Sequence, residues 1–272
     1  MKDLFSVEGK VAIVTGGSRG LGEMITHGLL ENGVKTYITA RNKDELTKTA
    51  QALSALNDNP DINCIPVVAD LSSFEGICDF VKTIQQTESK IDILVNNAGA
   101  AWGETFDNFP EMGWDKVMDL NAKAPFFVIQ QLLPLLKASG SAQDPARVIN
   151  IASINAITHP RTTNYSYSAS KAAVMQMTRH LAGDLVKEHI NINAIAPGFF
   201  LSKMTKHALG NAQENSFAEE MVPMERLGNE SDIAGSVIYL SSKASAWVTG
   251  HTLVLDGGVV AKSGYGDYNN FV

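Results

Sequence analysis

The chain has 272 residues, 44% of them hydrophobic, with a formal net charge of −7 and a pI near 5.4. That is enough apolar material for a large core, and the acidic balance argues against a general binder of nucleic acid or of anionic membrane surfaces. The leading MKDLFSVEGK lacks the apolar centre of a signal peptide and no uninterrupted apolar run reaches about 18 residues, which predicts a cytoplasmic protein with no membrane partner.

No linker, charge block or low-complexity run divides the chain, so residues 1–272 are expected to form a single α/β domain. Val11–Thr15 reads as a strand buried on both faces, followed by a glycine turn and a helix that runs to Gly33. Gly16, Gly20 and Gly22 allow a tight turn and close approach of a ligand, and the first amides of the helix suit a pyrophosphate. The G-x-x-x-G-x-G spacing differs from the usual dinucleotide fingerprint, so the turn needs support from the rest of the chain. Ser18, Arg19 and Leu21 of the same turn complete the expected cofactor contacts.

A second strand, VKTYIT (34–39), leads to Arg41 and then to a helix over 43–56 with Leu46, Ala50 and Leu53 on one face. In a dinucleotide fold this strand end meets the adenosine ribose, where an arginine pairs with a 2′-phosphate and an acid accepts from a 2′-hydroxyl. Arg41, with Arg19 as a second cation, predicts NADP(H); Asp44 and Glu45 read as first-turn residues that complement the helix dipole. Strands over 62–70, 91–99 and 146–153 alternate with helical stretches over 73–88 and about 107–138. Such alternation means a doubly wound, Rossmann-like parallel sheet with helices on both faces and ligands at the carboxyl ends of its strands. Asp70, Asn96–Gly99 and Ser153 stand at such ends. Cys64 and Cys78 show no metal-ligand spacing and read as reduced, packed thiols, so no metal site is expected.

On the helix predicted over 165–189, Tyr167 and Lys171 lie four apart and share a face, where the ammonium is expected to favour ionisation of the phenol. Bringing a phenol of pKa about 10 to neutrality takes about three units, or about 4 kcal/mol, to which an oxidised nicotinamide also contributes. The rival Tyr165 faces only Ala169 at the same spacing. Ala169, Ala172, Ala173, Met175, Met177 and Leu181 reach more than halfway round this helix, which predicts a homo-oligomer, dimer or tetramer, built partly on it.

TGGSRGLG (15–22), Asp70-Leu71, NNAG (96–99), Asn121, Ser153, YSASK (167–171), PG (197–198) and DGG (256–258) together resemble the short-chain dehydrogenase/reductase family over nearly the whole chain. The resemblance implies a seven-stranded parallel sheet and a catalytic group of Asn121, Ser153, Tyr167 and Lys171, with Asn121 linking the lysine to solvent through water. It further implies cofactor contacts from Asp70, Leu71, Asn97, Ala98 and Gly99, and from Pro197, Gly198 and Ser202. Within the family, AGAAWGETF (98–106) and EHININAIAPG (188–198) are similar to NADPH-dependent 3-oxoacyl carrier-protein reductases of the rhamnolipid-biosynthesis kind. That likeness implies a small-molecule or carrier-bound acyl substrate; an NADP-dependent polyol or sugar dehydrogenase and a non-catalytic dinucleotide sensor are the alternatives. The segment 199–224 is expected to form a substrate lid, in which Phe199, Phe200, Leu201 and Met204 are apolar and Lys203, Lys206 and His207 make the cleft mouth positive. Two stretches depart from the family pattern: the loop carrying His159-Pro160-Arg161, and a tail over 259–272 with Tyr265, Tyr268 and Phe271.

Overall fold

The computed structural model describes residues 3–56, 59, 62–160, 162–200 and 221–262. Seven strands, β1 (Val11–Thr15), β2 (Lys35–Ala40), β3 (Cys64–Val68), β4 (Ile93–Asn96), β5 (Ala146–Ile151), β6 (Ile190–Pro197) and β7 (Thr252–Leu255), form one sheet in the order β3-β2-β1-β4-β5-β6-β7. Every neighbouring pair is parallel. β4, β5 and β6 are buried along their whole length, whereas the edge strands β3 and β7 are partly exposed, which is why the central ones read as unbroken apolar runs. The order reverses between β1 and β4, so the crevice of a doubly wound sheet falls between their carboxyl ends.

The helices α1 (Gly20–Glu31), α2 (Lys43–Ser54), α3 (Phe74–Gln85), α4 (Glu111–Met118), α5 (Ala124–Ser139), α6 (Tyr165–Leu185), α7 (Glu230–Ser241) and α8 (Val259–Lys262) flank the sheet. Leu46, Ala50 and Leu53 are the buried residues of α2, as their spacing predicts. On one face Ile25, Leu29 and Leu30 pack with Ile233, Val237 and Leu240, and a Cβ at Gly28 would collide with Ala234, so α1 and α7 touch through a glycine. On the other, Ile77, Phe80 and Ile84 meet Val128, Leu132 and Leu136.

The helical stretch expected over 107–138 is broken. A 3₁₀ turn, Phe106–Asn108, and α4 are followed by a π turn, Asp119–Lys123, before α5 begins. Pro125 sits in the first turn of α5, where it has no N–H to give to the preceding turn and its ring crowds the carbonyl there; the wider π turn gives that ring room. The helix expected over 165–189 ends earlier, at Leu185, with a 3₁₀ turn, Val186–Glu188, and a left-handed His189 (φ 58) behind it.

α6 is held to the sheet by a buried polar chain. Asn96 on β4 donates to Asn150 on β5 (2.9 Å), Asn150 to Thr178 on α6 (2.9 Å), and Thr178 to the Val174 carbonyl (2.8 Å). Each amide is satisfied only in this register, so the chain sets where the amino-terminal half of α6 stands above the strand ends. Among the described residues no helix is long and apolar enough to cross a membrane.

Candidate active site

The glycine turn is packed against the exit of β4. Thr15 Oγ1 accepts from the amides of Asn97 (3.0 Å) and Ala98 (2.9 Å), and Asn97 Nδ2 donates to the carbonyls of Thr15 (2.9 Å) and Gly16 (3.1 Å). Gly16 has φ 67, and a Cβ there would lie 2.9 Å from Ala98 Cα; one on Gly22 would strike the Gly16 carbonyl. These two glycines therefore serve the packing of the turn on itself and on β4, in addition to opening it to a ligand. Arg19, at the amino end of α1, gives no side-chain cap, so the first amides of that helix face the cleft without a side-chain acceptor from the cap position.

A cleft of about 730 Å³ runs from this turn across the strand ends. Gly16, Ser18, Arg19, Gly20, Leu21 and Gly22 form its floor. Arg41, Asp70 and Leu71 line one wall, and Asn97, Ala98 and Gly99 the middle. Ser153, Tyr167, Lys171, Pro197 and Gly198 close the other end. Every predicted cofactor contact among the described residues thus lies on one surface. Ser202, Arg161 and the charged lid residues Lys203, Lys206 and His207 lie outside the described residues, as do Leu201, Met204 and the tail aromatics Tyr265, Tyr268 and Phe271. Of the predicted lid, Phe200 is buried and packs its ring against Gly228.

Ser153 follows β5 and caps the short 3₁₀ turn Ile154–Ala156, its hydroxyl accepting from the Asn155 amide (3.2 Å). Tyr167 hydrogen-bonds Ser153, and burial, the larger influence, pushes its phenol above the ordinary value while that bond pulls it down. Lys171 is buried, donates to the Ile151 carbonyl (2.6 Å), and stands 5.6 Å from the centre of the Tyr167 ring. Burial alone brings its pKa down to about 8. The expectation that the lysine tips the phenol toward ionisation is therefore corrected for the chain by itself: burial holds the phenol up, and the opposing pull comes from Ser153.

Asn121 is not on the cleft wall. Its Oδ1 accepts from the Ala100 amide (2.8 Å), and its Nδ2 donates to the Ala100 carbonyl (2.9 Å) and to Ser170 Oγ (3.0 Å). Carried by the π turn, it braces the loop after β4 against α6 one residue before Lys171, and it makes no direct contact with the lysine. The bracing roles of Ser170 and Thr15 leave no signature of their own in the sequence, since a hydroxyl that braces backbone has no spacing pattern. Glu45, expected from the sequence as a helix-dipole residue, also lines the cleft and lies 3.9 Å from Arg19.

The adenosine end offers two guanidiniums, the floor offers helix amides and close-packed glycines, and the volume suits an extended dinucleotide; the donor set fits NADP(H). A glycine turn at the switch point of a doubly wound sheet, opening on the same cleft as a buried tyrosine and lysine, defines a dinucleotide-type α/β protein equipped for proton transfer.

The chain belongs to the short chain dehydrogenase family, whose sequence profile matches residues 10–213. It is 45% identical to the rhamnolipids biosynthesis 3-oxoacyl-[acyl-carrier-protein] reductase of Pseudomonas aeruginosa, over 95% of this chain and 99% of that protein. It is 37% identical to the 2-dehydro-3-deoxy-D-gluconate 5-dehydrogenase of Escherichia coli, over 95% of this chain and 98% of that one. Among solved structures, the Pseudomonas aeruginosa RhlG/NADP active-site complex superposes with a TM-score of 0.90 at 44% identity, covering 96% of this chain and all of that one (100%).

Proposed function

We propose that this chain reduces a ketone to a secondary alcohol with NADP(H), and that its preferred substrate is a 3-oxoacyl thioester carried by an acyl carrier protein or coenzyme A. The observation that carries the reading is the meeting of Ser153, Tyr167 and Lys171 at one end of a cleft whose other end carries Arg19 and Arg41. The likeness to a 3-oxoacyl carrier-protein reductase supports the choice of substrate.

Bound NADPH supplies a hydride from its nicotinamide; everything else falls to the chain. Tyr167 is the proton donor to the substrate oxygen, and the burial that raises its pKa keeps the proton on the hydroxyl at neutral pH until it is needed. Ser153 holds the same oxygen by a hydrogen bond that strengthens as negative charge develops there. With a pKa of about 8, Lys171 is mostly charged at neutral pH, and its ammonium stabilises the phenolate left when the proton departs. Asn121 acts through Ser170, holding α6 and the loop after β4 in register. Arg41 and Arg19 hold the 2′-phosphate, the α1 amides the pyrophosphate, and Asp70, fixed by Ser72 (2.7 Å), the adenine. Asn97 to Gly99, Pro197 and Gly198 complete the pocket of a single domain spanning 1–272; the proposed contact of Ser202 and lid role of segment 199–224 fall on a stretch of which 201–220 lie outside the described residues.

The second reading, oxidation or reduction at a sugar acid, is favoured by the identity with a gluconate-type dehydrogenase. Consumption of NADPH should separate the two: kcat/KM is expected to be highest for a 3-oxoacyl thioester, and a larger value for 5-keto-D-gluconate would overturn the choice. Ala172 and Ala173 are exposed on α6, as a homodimer or homotetramer joined there requires, in the cytoplasm; a light-scattering mass of about 29 kDa would refute that assembly.

A further inference from the structure

Glu45, in the first turn of α2, lines the cofactor cleft together with Ser18, Arg19, Arg41 and Asn42. Arg19 stands 3.9 Å from it. The side chain of Arg19 is 62% exposed and that of Glu45 27%, so the pair is held weakly and the guanidinium is easily transferred to a better acceptor. Arg41, by contrast, makes no ion pair among the described residues, and it acts through space on the Asp70 carboxylate. This end of the cleft therefore carries two cations of different standing. Among the described residues Arg41 has no ion-pair partner, whereas Arg19 is already engaged.

Glu45 cannot drift from this place. Asn42 caps α2 by accepting from the Glu45 amide (3.1 Å), Thr49 one turn on donates to the Ser18 carbonyl (2.9 Å), and Leu46, Ala50 and Leu53 are buried beneath. The glycine turn and the first turn of α2 are thus fixed to each other, and the carboxylate stays beside the site where a phosphate arrives. A phosphate monoester offers Arg19 a charged, bidentate partner and stands as a like charge to Glu45.

We propose that Glu45 is a specificity-determining residue of this cleft: its carboxylate competes with the 2′-phosphate of the cofactor for Arg19 and limits how tightly the phosphorylated nucleotide is held relative to the unphosphorylated one. This rests on the NADP(H) reading above. Binding of the NADPH preference to Arg41 and Arg19 alone leaves Glu45 without a part, whereas here it sets the size of that preference from the opposing side.

The test is equilibrium binding of 2′,5′-ADP and of 5′-AMP by calorimetry to the full chain and to Glu45→Gln, with Asp44→Asn as control. Asp44 is exposed in the same first turn and outside the cleft wall, so it removes the same helix-dipole charge. The Glu45→Gln variant should bind 2′,5′-ADP about two- to fivefold more tightly, the range of an exposed ion pair, with 5′-AMP unchanged and Asp44→Asn like the parent. Unchanged or weaker binding of 2′,5′-ADP, equal tightening of both nucleotides, or the same gain in Asp44→Asn would overturn the proposal. If the parent chain itself binds both nucleotides equally, the NADP(H) reading falls with it; discrimination by the parent that Glu45→Gln leaves unaltered sinks the role of Glu45 alone.

Discussion

The two edges of the sheet use charge in opposite ways. At the amino edge Arg147, 1% exposed on β5, donates to Asp144 (3.2 Å), to the Ser242 carbonyl (2.9 Å) and to the Pro145 carbonyl. Lys10 shares Asp144 (3.0 Å) and reaches the Ser241 carbonyl (3.2 Å), while Asp92 accepts from the Val11 amide (2.8 Å), from Lys90 (3.2 Å) and from Ser139. These groups tie β1, β4, β5 and the end of α7 together. At the carboxyl edge, the buried Lys171 spends one hydrogen bond on the Ile151 carbonyl and meets no carboxylate among the described residues. An ammonium has three donors, so the remaining ones face the cleft. Buried charge is matched with charge where it serves stability, and left with spare valence where a ligand is to be met.

The largest break of this comparison is Tyr167→Phe, which removes the proton donor and almost no surface. Turnover should fall by at least about 10³-fold with NADPH affinity within a few-fold of the parent, measured by stopped-flow and by fluorescence titration. Tyr165→Phe, two residues away on another side of α6, should stay within about twofold of the parent, since it keeps the ring that packs edge-to-face with Phe106 and Phe109. A dead Tyr165→Phe with an active Tyr167→Phe would reverse the assignment.

At the other edge, Asp144→Ala leaves Arg147 and Lys10 without their shared carboxylate. A loss of about 3 kcal/mol in urea unfolding is expected, the low end for a broken buried pair because Asp144 is itself partly exposed. The kcat of the folded fraction should not change; a selective loss of kcat would mean that the edges are coupled. Next in size, Arg41→Asp should shift the ratio of NADPH to NADH kcat/KM by about ten- to hundredfold, the value of a charge-assisted contact of about 1.5–3 kcal/mol.

A last effect is in the pH dependence of stability. Lys171 releases its proton at about 8 in the folded chain against 10.5 for an ordinary lysine, so between those values the unfolded chain binds more protons and stability rises with pH. Relative to Lys171→Met, the parent should gain up to about 1.4 kcal/mol per pH unit between pH 8 and 10. Above about 10 the raised pKa of Tyr167 acts in the opposite direction, since the folded chain then holds the extra proton. Parallel stability curves for the two proteins would show that the ammonium is not desolvated as described.

Local physics was enough to place Val11–Thr15, α2 with its buried Leu46, Ala50 and Leu53, and the tyrosine and lysine on one face of α6, because strand alternation, helical period and turn glycines are properties of neighbouring residues. The direction of the Tyr167 pKa, the bracing of Asn121 against Ala100 and Ser170, and the second role of Glu45 depended on groups brought together from distant parts of the chain. Spacing along a helix says which side chains share a face; how much water surrounds them is set by what packs on that face, and desolvation is what overturned the simple lysine–tyrosine argument. The π turn at Asp119–Lys123 belongs with these: Pro125 is visible in the sequence, but whether the helix breaks or widens there was decided by the loop and helix that Asn121 holds together.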